Sequence, residues 1–146
     1  MTISTQHKGK RGELIVFGEL LRRGAELYTP LVDIGVDAVV RGQNGKYVEL
    51  QVKATEAPNQ DRYFNFNWDP QQDRFFICVS LKDDPPSVWV LPWNVFEDYA
   101  LRSGDNWRLP LLEKRRGDSK PREDELEAYR ANEHEDAWRP LLPPHP

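Results

Sequence analysis

One short stretch, Tyr47-Val48-Glu49-Leu50-Gln51-Val52-Lys53, carries most of the residues that could do chemistry. Side chains alternate faces along a strand, so Val48, Leu50 and Val52 point into a core while Glu49, Gln51 and Lys53 share the other side. The segment before it divides the same way, with Ile34, Val36, Ala38 and Val40 on one face and Asp33, Gly35 and Asp37 on the other. Gly42-Gln43-Asn44-Gly45 joins the two runs and marks a β-hairpin. The length of the turn decides whether the polar faces coincide. A two-residue Asn44-Gly45 turn would set Asp37 across from Val52. A three-residue loop pairs Gly42 with Lys46, sets Asp37 opposite Gln51 and Ala38 opposite Leu50, and uses Gly45 where a left-handed residue is needed. That loop, or a bulge of the same parity, is the expectation.

The chemistry this implies is that of a divalent cation. Cross-strand neighbours on one face have Cβ atoms about 5 Å apart. Magnesium takes oxygen ligands at about 2.1 Å and keeps several waters. The Asp37 carboxylate, the Gln51 amide oxygen and a backbone carbonyl suit it, with Glu49 as a further candidate. Lys53 would orient or deprotonate a metal-bound water, or stabilise charge on a phosphate. A fourth group comes from the first helix, expected over Lys8–Arg23 and stopped by Gly24. There Glu13, Val16, Phe17 and Leu20 fall on one face, so Glu13 heads the apolar stripe and points at the sheet, whereas Glu19 lies elsewhere. Gly9 and Gly12 allow close approach of a backbone or a phosphate.

Further elements must hold these residues in place. Strands are expected at Glu26–Thr29, Ile34–Arg41, Lys46–Thr55, Arg74–Leu81 and Ser87–Leu91, with a helix from Pro92 to about Leu101. Residues 56–73 read as a loop or irregular edge strand whose Tyr63, Phe64, Phe66 and Trp68 fill a core or a dimer contact rather than stack on bases. Residues 122–138 read as a charged helix anchored by Leu126, Tyr129 and Trp138, and the closing PLLPPHP as frayed or extended. The order α, β, β, β, loop, β, β, α and a charged tail helix gives an α+β fold with a mainly antiparallel start.

The runs KGKRGELIVFGELLRRG, VDIGVDAVV and YVELQVKAT resemble the PD-(D/E)xK nuclease superfamily, in the style of its Holliday-junction-resolvase-like, very-short-patch-like and intron-encoded homing-endonuclease members. The resemblance spans about residues 9–55 and implies a restriction-endonuclease-like α/β/α fold: a central mixed sheet containing the antiparallel hairpin, flanked by helices. It implies a catalytic set of Glu13, Asp37, Gln51 and Lys53, with Asp37, Gln51 and Glu13 on Mg2+ or Mn2+, and hydrolysis of phosphodiester bonds in DNA, branched or duplex. Two features depart from the family pattern. Gln51 stands where an acid is usual and brings no charge, and no helix follows the third strand.

Composition sets the outer limits. A chain of 146 residues with 38% hydrophobic residues supports one modest core. Residues 1–112 are expected to form the nuclease-like domain, and 113–146 a charged linker and helix packed on or extending from it. No stretch approaches the roughly 18 apolar residues of a membrane span, and the N-terminus lacks the apolar run of a secretory signal, so a cytoplasmic protein without membrane partners is expected. The single cysteine, Cys78, sits in an apolar run and reads as a buried small hydrophobe. The three histidines are scattered, which argues against a His-cluster metal site. The net charge of −4 argues against DNA binding by bulk electrostatics alone, but bound cations would add positive charge. Lys8, Lys10, Arg11, Arg22 and Arg23, and the run Lys114 to Arg116, are either phosphate contacts or solvated faces. Cutting both strands requires two sites, which a homodimer would supply. The alternative function is a catalytically inactive nuclease-fold module that binds nucleic acid or a protein. A weaker third reading is an unrelated α+β domain with Glu13 far from Asp37.

Overall fold

A computed structural model of the chain describes residues 5–32, 34–56, 63–70 and 74–144. Helix α1 (Thr5–Arg22) buries Gly12, Val16 and Leu20. It ends in a Schellman arrangement: the Gly24 N–H donates to Leu21 O (3.0 Å) and the Ala25 N–H to Leu20 O (3.0 Å), with Gly24 at φ +86°.

Strands β1 (Leu27–Tyr28), β2 (Ala38–Arg41), β3 (Tyr47–Thr55), β5 (Arg74–Ser80) and β6 (Ser87–Pro92) form a five-stranded sheet in the order β1-β2-β3-β5-β6. Only β3 and β5 run parallel in it. A parallel pair needs a long crossover. Here the chain between them passes through β4 (Tyr63–Asn67), which belongs to a second, three-stranded sheet with β8 (Asn106–Pro110) and β7 (Leu101–Ser103). Helix α2 (Trp93–Tyr99) follows β6.

The single core expected from composition is divided in two, one on each face of the central sheet. Val48, Leu50 and Val52 of β3 and Phe75, Ile77 and Val79 of β5 pack with Val16 and Leu20 of α1. On the other face Phe76, Cys78, Trp89 and Leu91 meet Phe64, Phe66, Trp68, Trp107 and Leu109 of the small sheet and Phe96 of α2. The Phe76 and Phe96 rings stack at 3.9 Å. Thus the aromatics of residues 64–68 are core, as their spacing suggested. Cys78 is fully buried and burial pushes its thiol pKa well up, as an inert core residue requires.

Three expectations change. Ile34 is exposed because Gly35 at φ +81° breaks the extended backbone, so the strand starts only at Ala38. The helix expected over 122–138 is divided into α3 (Arg122–Glu125) and 3-10 turns at Glu127–Tyr129 and Glu135–Leu141; its apolar residues do not sustain a 3.6-residue period. The closing segment starts docked, not frayed: Leu141 is buried beside Trp138 in the α1-side core, and Pro140 O accepts the Gln43 N–H (3.2 Å). Among the described residues no helix is long and apolar enough to cross a membrane.

Two contacts fix α1. A Cβ on Gly12 would stand 2.5 Å from Ala54 Cβ, so only glycine lets the helix lie this close to β3. At the other end Arg23 stacks over Trp138 (4.7 Å) and donates to Glu19 Oε2 (2.6 Å) and Glu135 Oε2 (2.8 Å), tying the C-terminal segment to the helix.

Gly12→Ala should destabilise the protein by about 1–3 kcal/mol in urea unfolding through overpacking. Gly9→Ala, with open space at its Cβ, should be neutral or stabilise by up to about 1 kcal/mol. Equal behaviour of the two would show that close approach is not limiting. The hydrogen bond from Arg23 lowers the pKa of both Glu19 and Glu135 below the ordinary 4.5. For depressed carboxylates the stabilisation is present above 4.5 and disappears as pH falls through the lowered folded values. Arg23→Met should therefore lose less stability than the parent on acidification from pH 7 to about pH 3; identical pH profiles by thermal melting would contradict this.

Candidate metal and phosphodiester site

The hairpin takes the three-residue turn. Gly42 N–H donates to Lys46 O (2.8 Å) and Gly45 N–H to Gly42 O (2.9 Å), with Gly45 at φ +81°. The Asn44 side chain accepts the Lys46 N–H (3.0 Å). The ladder then runs Arg41↔Tyr47, Val40↔Val48, Val39↔Glu49 and Ala38↔Leu50, the register the apolar faces demand.

One residue beyond Ala38 the regular ladder stops and Asp37 takes over. Its N–H donates to Leu50 O (2.9 Å), and its Oδ2 accepts the Val52 N–H (2.6 Å). A side-chain carboxylate here does the work of a backbone carbonyl. Asp37 is thereby drawn to the edge of β3, spanning the position of Gln51. Gln51 is only 6% exposed and pairs in register with Phe76 on the aromatic side of the sheet. Its Oε1 is buried without a hydrogen-bond partner. Leaving such an oxygen unsatisfied costs about 1–3 kcal/mol. Lys53, two residues on and on the same face, is exposed.

Glu13 reaches Asp37 from the other side. The two border one cavity of about 410 Å³ between α1 and the start of β2, together with Lys10, Phe17 and Val32. Lys10 Nζ lies 3.4 Å from Glu13 Oε2, and the Glu13 side chain is 18% exposed. Gln51 and Lys53 lie outside this lining. The structure thus joins Glu13 to Asp37 in a cavity, and Asp37 to Gln51 through the β3 backbone, with Lys53 standing in solvent alongside. Glu19, by contrast, is occupied by Arg22 (2.8 Å) and Arg23. Asp33 lies outside the described residues.

Glu49 is engaged elsewhere. Arg74 donates to its Oε2 from Nη2 (2.6 Å) and Nε (3.1 Å), across the parallel β3–β5 pairing. Arg74 was not singled out from the sequence, although a charged residue opening the apolar run RFFICVS demands a partner. The basic residues of α1 are also paired: Lys8 and Arg11 with Glu56 (3.9 and 3.5 Å), Arg22 with Glu19. Arg115 is held by Asp98, Asp118 and the Tyr99 ring, so it is a structural residue of the 113–121 loop.

In donor type Glu13, Asp37 and Gln51 suit a divalent cation. Two carboxylates and a neutral amide oxygen are hard ligands, and the partnerless Gln51 Oε1 is an acceptor in want of a cation or a donor. Among the described residues no group of three or more His, Cys, Asp and Glu is placed to hold a metal.

The mixed sheet with its antiparallel hairpin and the helix laid across it give the chain a nuclease-like fold. Solved structures agree. The chain superposes on a bacterial homing endonuclease, I-Ssp6803I, with a TM-score of 0.63 and 20% identity over 95% of each chain. It superposes on Hjc, a Holliday junction resolvase from Archaeoglobus fulgidus, with a TM-score of 0.50 and 15% identity over 70% of this chain and 84% of that one. No family model and no curated protein matches the sequence.

Gln51→Leu should keep or raise metal-free stability, by up to about 1 kcal/mol, because it removes an unsatisfied buried oxygen. Mn2+ should raise the melting temperature of the parent, and the same change should abolish that rise. A parent-like Mn2+ response in Gln51→Leu would exclude the amide as a ligand.

Proposed function

We propose that the protein is a metal-dependent endonuclease that hydrolyses phosphodiester bonds in DNA and works in the cytoplasm. The observation that carries this reading is the Asp37 carboxylate bonded to the Val52 amide beside a buried Gln51 oxygen that has no partner. The nuclease fold supports it.

Asp37, Gln51 and Glu13 would hold Mg2+ or Mn2+, which when bound supplies Lewis acidity and a more acidic water. The Val52 N–H fixes one Asp37 oxygen, so the carboxylate is oriented before substrate arrives. Glu13 would add the second negative charge from the α1 side of the cavity, with the Lys10 ammonium 3.4 Å away. The exposed ammonium of Lys53 would take up a proton-transfer role or neutralise charge building on the phosphate. A homodimer would bring two such sites to the two strands of a duplex.

Supercoiled plasmid incubated with the protein and Mg2+ or Mn2+ should be nicked and linearised. Asp37→Ala and Lys53→Ala should each lower the rate at least about 100-fold, with unchanged melting temperature for the exposed Lys53 substitution. Parent-like cutting by both would dismiss the site. DNA binding by a parent protein that cuts no DNA would favour the inactive binding module.

A further inference from the structure

We propose that Leu31, Val32 and Ile34 form a wedge that unstacks a base step of duplex DNA beside the scissile phosphate; this rests on the nuclease function proposed above. Leu31 is 105% exposed, Val32 71% and Ile34 69%. Single exposed apolar residues are ordinary, but three within four positions on one loop are not. An exposure of 105% means that Leu31 projects as freely as it would from an extended chain. That is a knob, unlike the mutually shielded side chains of a flat subunit interface.

The loop is short and held at both ends. Before it, Tyr28 pairs with Val39, and Pro30 restricts the backbone. After it, Gly35 turns at φ +81°, Val36 is buried, and Asp37 is bonded to β3. Its base is a wall of the Glu13–Asp37 cavity, to which Pro30 and Val32 both contribute. Ile34 is three residues from Asp37, so at most about 10 Å separates their Cα atoms. One DNA strand rises about 3.4 Å per nucleotide. A phosphate at Asp37 therefore places Ile34 within about three base steps of the cut, and Leu31 within about six.

Lys10 lines the same cavity as Pro30 and Val32, and Lys10 and Arg11 both stand exposed on α1. Their ion pairs are solvent-exposed and weak, so they can turn to the flanking phosphates while the apolar side chains enter the stack. Leu and Ile are residues that proteins insert between base steps to kink a duplex. The substrate class that follows is duplex DNA that must be opened, or a junction or mismatch where stacking is already lost.

Leu31→Ser/Ile34→Ser removes the wedge without touching either core. The parent should raise the fluorescence of 2-aminopurine placed at successive steps of a short duplex, in EDTA so that the DNA stays intact. The double variant should lose that rise. With Mg2+ it should cut intact duplex at least about tenfold more slowly than the parent, yet cut a duplex with a central mismatched bubble within about twofold of it, since the stacking is already broken there. Parent-like cutting of intact duplex by the variant would overturn the wedge while leaving the nuclease reading standing. So would a shift from dimer to monomer in sedimentation with the 2-aminopurine signal unchanged, which would make the loop a self-association surface. A parent that neither binds nor cuts any of these DNAs removes both readings.

Discussion

The register of the β2–β3 hairpin is the constraint on which the rest depends. Because side chains alternate along a strand, a slip by one residue would turn Gln51 and Lys53 into the α1-side core and bring Val52 out. Three local features prevent it. Gly45 supplies the left-handed turn residue, Asn44 caps the Lys46 amide, and Ala38 and Leu50, both fully buried, face each other. Once that register is set, Asp37 falls where its carboxylate can accept the Val52 amide. A local turn preference has thereby fixed the position of an acid several residues away.

The helix adds a second constraint of a different kind. Its closeness to β3 is a matter of volume, not hydrogen bonding: Gly12 offers no Cβ to Ala54. Turned through 100° from Gly12, Glu13 is carried to the edge of the sheet, where β2 has not yet begun and the cavity opens. The Arg23 contacts with Glu19, Glu135 and Trp138 fix the other end, so α1 is pinned at both ends and Glu13 inherits that rigidity. The sheet meanwhile has a separate core on each face. It can bear an unsatisfied Gln51 oxygen because Phe76 and its aromatic neighbours stabilise the side on which that oxygen is buried.

What could be read from the sequence follows the range of the interactions. The α1 stop at Gly24, the three-residue turn and the Ala38–Leu50 pairing depend on residues close in the chain, and each follows from local rules. The pattern failed where that locality failed. Ile34 obeys the alternation on paper, yet Gly35 ends the strand first. Tyr63–Asn67 and Asn106–Pro110 both alternate apolar and polar residues, but they pair with each other across some forty positions, so a single short run flanked by prolines gave little hint of a second sheet. The Arg23–Glu135 tie and the Arg74–Glu49 pair are equally non-local. Of the candidate site, residue types and parity were legible. That Glu13 and Asp37 share a cavity from which Gln51 and Lys53 are excluded was not, because it depends on where β2 starts.

The neutral Gln51 makes physical sense in this setting. Its side chain lies on the face of the sheet that carries the aromatic core, only 6% exposed, and a lone buried carboxylate there would be costly to ionise. With the Asp37 carboxylate bonded to the neighbouring Val52 amide, a further acid would also add like-charge repulsion. An amide offers the same oxygen geometry without either penalty. Two carboxylates already match the charge of one divalent ion, so a third negative group would contribute affinity chiefly by overbalancing the site. In the proposed site the glutamine thus lets the fold persist in the metal-free state, while leaving one acceptor that only a cation or a donor from outside can satisfy.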